Sequence, residues 1–205
     1  GSAGAGPRSG GQYGGGRGFI AGGWYNSFKD YIEYITISTT GNGTSFGNLT
    51  GGSRTGTGSV SNASGDRNVI ACGATGGSYN SFLKNSEQWT GSSTGNTTSF
   101  GDMLTNRYNL CSVDDGSGDI GLFGFSGQTG STASNKTGHQ SDYNYHNTVE
   151  KITISSAGNA VWWGGVRDGG LGYGTSRWGY SATGNMSNGS RGLVASGYIL
   201  PEGDY

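Results

Sequence analysis

Few residues in this chain could do chemistry, and their surroundings decide against most of them. The run Asp114-Asp-Gly-Ser-Gly-Asp119 puts three carboxylates on a pliant stretch, the oxygen donors that calcium takes. Its glycine spacing does not fit an EF-hand, and the acidic residue expected at the end of such a loop is missing. The run also aligns with Ser61-Asn-Ala-Ser-Gly-Asp66, a plain connection between two strands, and that is the reading taken. His139 and His146, with Asp142 between them, suggest a metal site in a polar stretch of Gly, Ser, Tyr and Asn. A metal needs ligands converging from rigid elements, and a solvated loop does not supply them.

Catalytic constellations fare no better. Glu33, Glu87 and Glu150 would interest a glycosidase if two of them met across a cleft. They are copies of one position in a repeat, however, which places one in each copy, so pairing with the recurring arginines is the expected role. A Ser-His-Asp set can be drawn in any chain this rich in Ser, but no nucleophile-elbow pattern accompanies it. Gly14-Gly-Gly-Arg-Gly18 lacks the Lys-Ser/Thr of a phosphate loop and a following helix. Cys72 and Cys111 stand at non-equivalent places in the repeat. They are expected as two small buried residues in preference to a disulfide, because two thiols make no staple framework. Seven Asn-X-Ser/Thr triplets begin at Asn42, Asn48, Asn62, Asn96, Asn135, Asn185 and Asn188. This composition produces them readily, and glycosylation needs a secretory route that the sequence does not display. No residue is assigned a catalytic, cofactor-binding or metal role. The expectation is a protein that is not an enzyme and takes no cofactor.

Composition narrows the class further. Gly supplies 45 of 205 residues, Pro only two, and the formal net charge is −1. Such a balance lacks the electrostatic footprint of a nucleic-acid binder. No apolar run approaches the roughly 18 residues of a membrane helix, and no signal-peptide core is visible, so no membrane insertion is expected. The chain opens at Gly1 without Met, as a processed, trimmed or fragmentary chain does. Aliphatic residues are scarce, but twelve Tyr and five Trp add large apolar area. A chain like this folds through small aromatic clusters spread over many short elements.

The elements come from an internal repeat of about fifty residues. Tyr31-Ile-Glu-Tyr-Ile-Thr-Ile-Ser-Thr-Thr-Gly-Asn42 aligns with Asn85-Ser-Glu-Gln-Trp-Thr-Gly-Ser-Ser-Thr-Gly-Asn96 and with Thr148-Val-Glu-Lys-Ile-Thr-Ile-Ser-Ser-Ala-Gly-Asn159. An aromatic-glycine pair follows each: Phe46-Gly47, Phe100-Gly101 and Trp163-Gly164. Arginine-led stretches begin at Arg54, Arg107 and Arg177, and a further apolar stretch starts at Arg17, Arg67, Ile120 and Arg191. Thr, Ile, Val and aromatic residues alternate with period two, Gly-Asn pairs supply turns that tolerate positive φ, and no window carries a helical period. The fold class expected is all-β, built of short strands in copies at about 17–62, 63–115 and 116–185, with a partial copy at 186–205. A glycine-rich arm precedes them at 1–16. One copy offers too few strands to bury both faces, so copies must stack; a β-propeller is preferred, with a β-prism or β-trefoil as alternatives.

The stretches at 17–23, 31–42 and 46–50 resemble the Kelch-like repeats of tailed-phage structural proteins, especially those of cyanobacterial viruses. The resemblance spans most of residues 17–198 and loosens from the first copy to the third, which carries two insertions, 127–147 and 165–175. It implies a virion location and a non-enzymatic structural or decoration role in a tail, fibre or capsid surface, acting through contacts with other virion proteins or copies of itself. The alternative is a carbohydrate- or receptor-binding module that meets a host-surface glycan.

Loops on a rigid repeat scaffold are where recognition is usually placed. Tyr143, Tyr145, His146, Trp162, Tyr173 and Trp178 are therefore the candidate interface or glycan contacts, and both insertions are expected to reach outside the repeat body. Trp163 matches Phe46 and is expected in the core, whereas Trp162 has no evident counterpart. At least two of the three recurrent glutamates are expected to sit against an arginine.

Overall fold

Alternation of β-branched and aromatic residues with small ones, broken by Gly-Asn and Ser-Gly pairs, yields strands throughout. In the computed structural model the described residues are 9–13, 16–62, 66–76, 81–115, 119–124, 128–129, 148–165, 177–178, 185–187, 192–194 and 198–199, and no α-helix occurs among them. The chain is all-β, with antiparallel sheets.

Three sheets of equivalent build follow one another. The first runs β1 (Ser9–Tyr13), β2 (Arg17–Ala21), β5 (Tyr31–Thr36), β6 (Thr44–Asn48). The second runs β7 (Gly58–Ser61), β8 (Arg67–Ala71), β9 (Leu83–Thr90), β10 (Thr98–Tyr108), and the third β11 (Cys111–Asp114), β12 (Ile120–Gly124), β14 (Thr148–Thr153), β15 (Val161–Gly165). A fourth begins with β17 (Asn185–Ser187) and β18 (Gly192–Val194). Smaller pieces complete the set: the hairpin β3 (Trp24–Tyr25) and β4 (Ser27–Phe28), and the pair β16 (Arg177–Trp178) and β19 (Tyr198–Ile199). First strands neighbour one another, β1 beside β7, β7 beside β11 and β11 beside β17.

Strand register shows that the sequence alignment is structural. Gly18, Asn68 and Gly121 stand opposite Ile35, Trp89 and Ile152, and Ile20, Ile70 and Phe123 stand opposite Glu33, Glu87 and Glu150. Each fourth strand breaks register at the same residue. Ser45, Ser99 and Trp162 face the glutamate, Gly47, Gly101 and Gly164 face the residue before it, and Phe46, Phe100 and Trp163 form the bulge between. A bulge bends a strand and re-aims its side chain, so its recurrence is a built feature.

The sheets begin one strand earlier than the copies read from the sequence. Ser9–Tyr13 fall within the expected arm at 1–16 yet pair residue for residue with β2. Gly58–Ser61 and Cys111–Asp114 open the second and third sheets and do not close the copies before them. These first strands are mostly glycine, serine and cysteine, with almost no period to read; pairing with the following strand makes them strands. The insertion at 127–147 also differs from expectation where it is described: β13 (Gln128–Thr129) pairs with Arg107 and Tyr108 as a fifth strand on the second sheet, and so stays on the repeat body.

Among the described residues, each of the two apolar clusters joins side chains of consecutive sheets. Phe19, Ala21, Ile32, Phe46 and Leu49 of the first meet Ile70 and Trp89 of the second, with Phe19 at 5.0 Å from Phe46 and 5.7 Å from Trp89, edge to face. Val60, Val69, Phe100, Met103 and Leu110 of the second meet Phe123, Ile152, Ile154 and Ala160 of the third. Stability is then nearly a sum of steps between neighbours.

Candidate assembly interface

The two steps that join the first three sheets are made the same way, and their parts come from the recurrent residues. Glu87 lies on the face of β9 that meets the first sheet, and its buried carboxylate pairs with the buried guanidinium of Arg54. The carboxylate also accepts hydrogen bonds from the Thr50 and Gly51 backbone N–H groups at 2.9 and 2.8 Å and from the Thr97 hydroxyl. At the next step Arg107 donates to Glu150 at 3.0 Å, with Leu104 N–H at 2.7 Å and the Thr105 hydroxyl at 2.9 Å. A buried charge is tolerated only when paired and hydrogen-bonded, and both carboxylates meet that condition. Burial pulls the Arg54 guanidinium below its usual range while Glu87 works the other way; starting so high, it stays charged. Two of the three recurrent glutamates thus meet an arginine, each from the preceding copy. Glu33, on the first sheet, is half-buried.

A backbone dock accompanies the ion pair. The Gly95-Asn96 turn rests on β6: Gly95 N–H donates to Phe46 O and Thr97 N–H to Asn48 O, both at 3.0 Å, and Asn48 N–H donates to the Asn96 side chain at 3.0 Å. One copy on, Ala160 N–H donates to Asp102 O at 2.8 Å and Asp102 N–H to the Asn159 side chain at 2.9 Å. Contact is so close that a Cβ added at Gly47 would land on the Gly95 carbonyl, and one at Gly101 on the Gly158 carbonyl. Arg17 reaches the Gly91 carbonyl at 2.9 Å, and Arg67 the Ile154 and Ser155 carbonyls at 3.2 and 2.6 Å. Ile120, at the same position in the third sheet, is apolar and exposed.

The two ends of this series are open. Phe46 and Phe100 are 4% exposed but Trp163 is 53% exposed, which corrects the core role expected of it. Its register place is the expected one; what differs is that no turn among the described residues rests on it, and a Cβ at Gly164 would meet nothing within 4 Å. Trp162 proves to have counterparts, Ser45 and Ser99, exposed as it is. At the other end, Ile35 and Ile37 are exposed while their equivalents Trp89, Ile152 and Ile154 are buried, and Gly43 is exposed where Thr97 and Ala160 are buried. The chain therefore presents, at opposite ends, the two halves of the joint it uses twice inside.

Other candidates resolve as follows. Asp114 accepts from Ser61 N–H at 3.1 Å and so ties the third sheet to the second, while Asp119 accepts from Ser155 N–H at 2.6 Å and from its hydroxyl within the third copy. Cys72 and Cys111 are buried free thiols. The Cys72 thiol is pushed up to about 12, chiefly by burial and then by the nearby Glu150 carboxylate. Trp178 lies in β16, paired with Tyr198. Tyr143, Tyr145, His146 and Tyr173, together with His139 and Asp142, lie outside the described residues. A polar groove of about 370 Å³ on the second sheet, lined by Arg67, Gln88, Trp89, Asn96 and Thr98, was not read from the sequence. The buried indole N–H of Trp89 has no hydrogen-bond partner among the described residues.

No protein-family pattern and no curated protein matches the chain. Its fold is similar to a solved structure described as "Structure of YjhT", with a TM-score of 0.59 at 11% identity over 85% of this chain. The match takes in 53% of that structure's chain, so this chain spans about half its length. At that identity the likeness concerns fold alone.

Proposed function

We propose that the protein is a non-enzymatic structural or decoration component of a phage particle, in its tail, fibre or capsid surface, and that it acts through subunit contacts. The carrying observation is the exposed Trp163, with Gly164 open beside it, at the register place where Phe46 and Phe100 are buried under the next copy. Large aromatic side chains presented on a rigid strand are contact area obtained at low entropic cost. Successive copies are arranged about an axis lined by the first strands, as in a β-propeller whose fourth sheet is begun by β17 and β18. The virion location rests on the likeness of the repeat sequence to tailed-phage proteins. Mass spectrometry of purified virions, together with the genes flanking this one, tests it; absence from particles and from tail or capsid gene clusters overturns it.

The second reading, a carbohydrate-binding module, is favoured by the polar groove lined by Arg67, Gln88, Asn96 and Thr98. Glycan-array binding by the isolated protein, lost on Gln88→Ala, would support this reading over the first.

A further inference from the structure

The three Gly-Asn turns occupy one place in the repeat and differ in what holds them. Asn96 is held at both points that matter for its own chemistry. Its side-chain oxygen accepts from Asn48 N–H at 3.0 Å, and the N–H of the next residue, Thr97, donates to Asn48 O at 3.0 Å. Asn159 repeats this on Asp102, at 2.9 Å for its side-chain oxygen and 2.8 Å for Ala160 N–H. Thr97 and Ala160 are both buried. Asn42 differs on every count. Gly41, Asn42 and Gly43 are exposed and lie between β5 and β6, outside either strand. Among the described residues neither the Asn42 carboxamide nor the Gly43 N–H has a hydrogen-bond partner. The residue that follows Asn42 is glycine, where Thr97 and Ala160 follow the other two.

We infer that Asn42 is a site of spontaneous deamidation, a covalent modification that the chain undergoes in water without a catalyst. The Gly43 main-chain nitrogen, once it has given its proton to solvent, attacks the side-chain carbonyl carbon of Asn42. The N–Cγ bond forms and the Cγ–Nδ2 bond breaks. The side-chain nitrogen takes up a proton and leaves as ammonia. Water then opens the resulting five-membered imide at one of its two carbonyls. One opening restores the main chain and leaves aspartate at position 42; the other carries the main chain through the side-chain carbonyl as isoaspartate. One water is consumed, one ammonia is released, and nothing is oxidised or reduced. Ring closure requires the backbone to turn until the Gly43 nitrogen approaches Cγ. Glycine on both sides leaves that motion open, and no strand pairing opposes it. At Asn96 and Asn159 the same motion must first break two hydrogen bonds and lift a buried residue out of its joint. The modification adds one negative charge to a chain of formal net charge −1, on a turn whose equivalents rest against the preceding copy. The exposed turn ages, and the two docked turns are preserved by the joints they make. This inference is independent of the virion reading.

The test is peptide mapping by mass spectrometry of the full chain held in mildly alkaline buffer, where more of the attacking nitrogen is deprotonated. Trypsin releases Asn42, Asn96 and Asn159 in separate peptides, residues 30–54, 85–107 and 152–167. The first should gain one mass unit, placed at Asn42 by fragmentation, and should split into aspartyl and isoaspartyl forms; the other two should stay unchanged at Asn96 and Asn159. Asn188-Gly189, outside the described residues, falls in a fourth peptide and does not confuse the reading. Ala160→Gly separates structure from local sequence, because it gives Asn159 the same following residue as Asn42 inside a docked turn. In the folded variant Asn159 should react at least about tenfold more slowly than Asn42, since two hydrogen bonds must break first; in urea the two should react at comparable rates. Gly43→Ala should slow the reaction at Asn42 and melt like the parent, because a Cβ there would meet only Glu33, at 3.4 Å and beyond. An unchanged Asn42, equal rates at Asn42 and Asn159 in folded Ala160→Gly, or an undiminished rate in Gly43→Ala overturns the inference. If Ala160→Gly does not fold, the parent and Gly43→Ala decide it.

Discussion

Substituting one glycine at a time, at Gly47, Gly101 and Gly164, probes the repeat joint directly, because the three are register equivalents with different neighbours. A methyl group at Gly101 would overlap the Gly158 backbone carbonyl. The obstacle is main chain, so relief requires the Gly158-Asn159 turn to move away. That movement breaks the Ala160 N–H to Asp102 O bond and the Asp102 N–H to Asn159 bond, each contributing about 1 kcal/mol. It also loosens Phe100 in the cluster shared with Ile152 and Ile154, for about 1 kcal/mol more given partial exposure of a ring whose full burial contributes about 2–3 kcal/mol. Gly101→Ala should therefore cost about 3 kcal/mol, and Gly47→Ala, with three hydrogen bonds at its joint, about the same. At about 2–4 °C per kcal/mol for a chain of this size, each should melt about 6–12 °C below the parent. Gly164→Ala meets nothing within 4 Å, and alanine is better than glycine in a strand by about 0.5–1 kcal/mol, so its melting point should hold or rise. Circular dichroism melts and urea titrations of the three variants measure this. A loss at Gly164→Ala as large as at Gly101→Ala, or changes below about 0.5 kcal/mol at all three, would refute the idea that close turn docking holds the copies together.

Three further outcomes follow from the same geometry. Glu87→Ala leaves the Arg54 guanidinium buried without its carboxylate and should cost about 3–5 kcal/mol in urea unfolding, whereas Arg54→Met with Glu87→Met should recover most of that loss; equal damage in both would refute it. Phe100→Ala should cost about 3–5 kcal/mol by calorimetry, while Trp163→Ala, at a half-exposed site, should cost about 1 kcal/mol or less. Because the Cys72 thiol is raised from 9.0 to about 12 in the folded chain, the folded state holds its proton more tightly than the unfolded state does. The stability this contributes is whole below about pH 9 and is lost as pH climbs toward about 12. Alkaline titration should thus be steeper for the parent than for Cys72→Ala, and a thiol reagent at pH 8 should not label Cys72 before unfolding; rapid native labelling would refute the burial.

The sequence by itself determined the strands that carry side-chain period and the register that relates them. Tyr31–Thr36, Arg67–Ala71 and Thr148–Thr153 each place alternate residues on opposite faces, and a face that must be buried fixes its own register. Recurrence of Glu33, Glu87 and Glu150 in step with Arg54 and Arg107 also carried the ion pairs, because a charge on an apolar face needs a partner. The first strands were not legible: Ser9–Tyr13 and Gly58–Ser61 hold glycine and serine, and their strand state comes only from hydrogen bonding to β2 and β8. Nor could local sequence tell Trp163 from Phe100. Both sit at the same bulge, and burial is a property of what rests on the residue. Only the tertiary structure decided that the Gly158-Asn159 turn covers one and that the other stands open, and that Ile35 and Ile37 are exposed where Ile152 and Ile154 are buried. In a stack whose core lies between copies, a repeat specifies both halves of the joint, and position in the stack decides which half is left over.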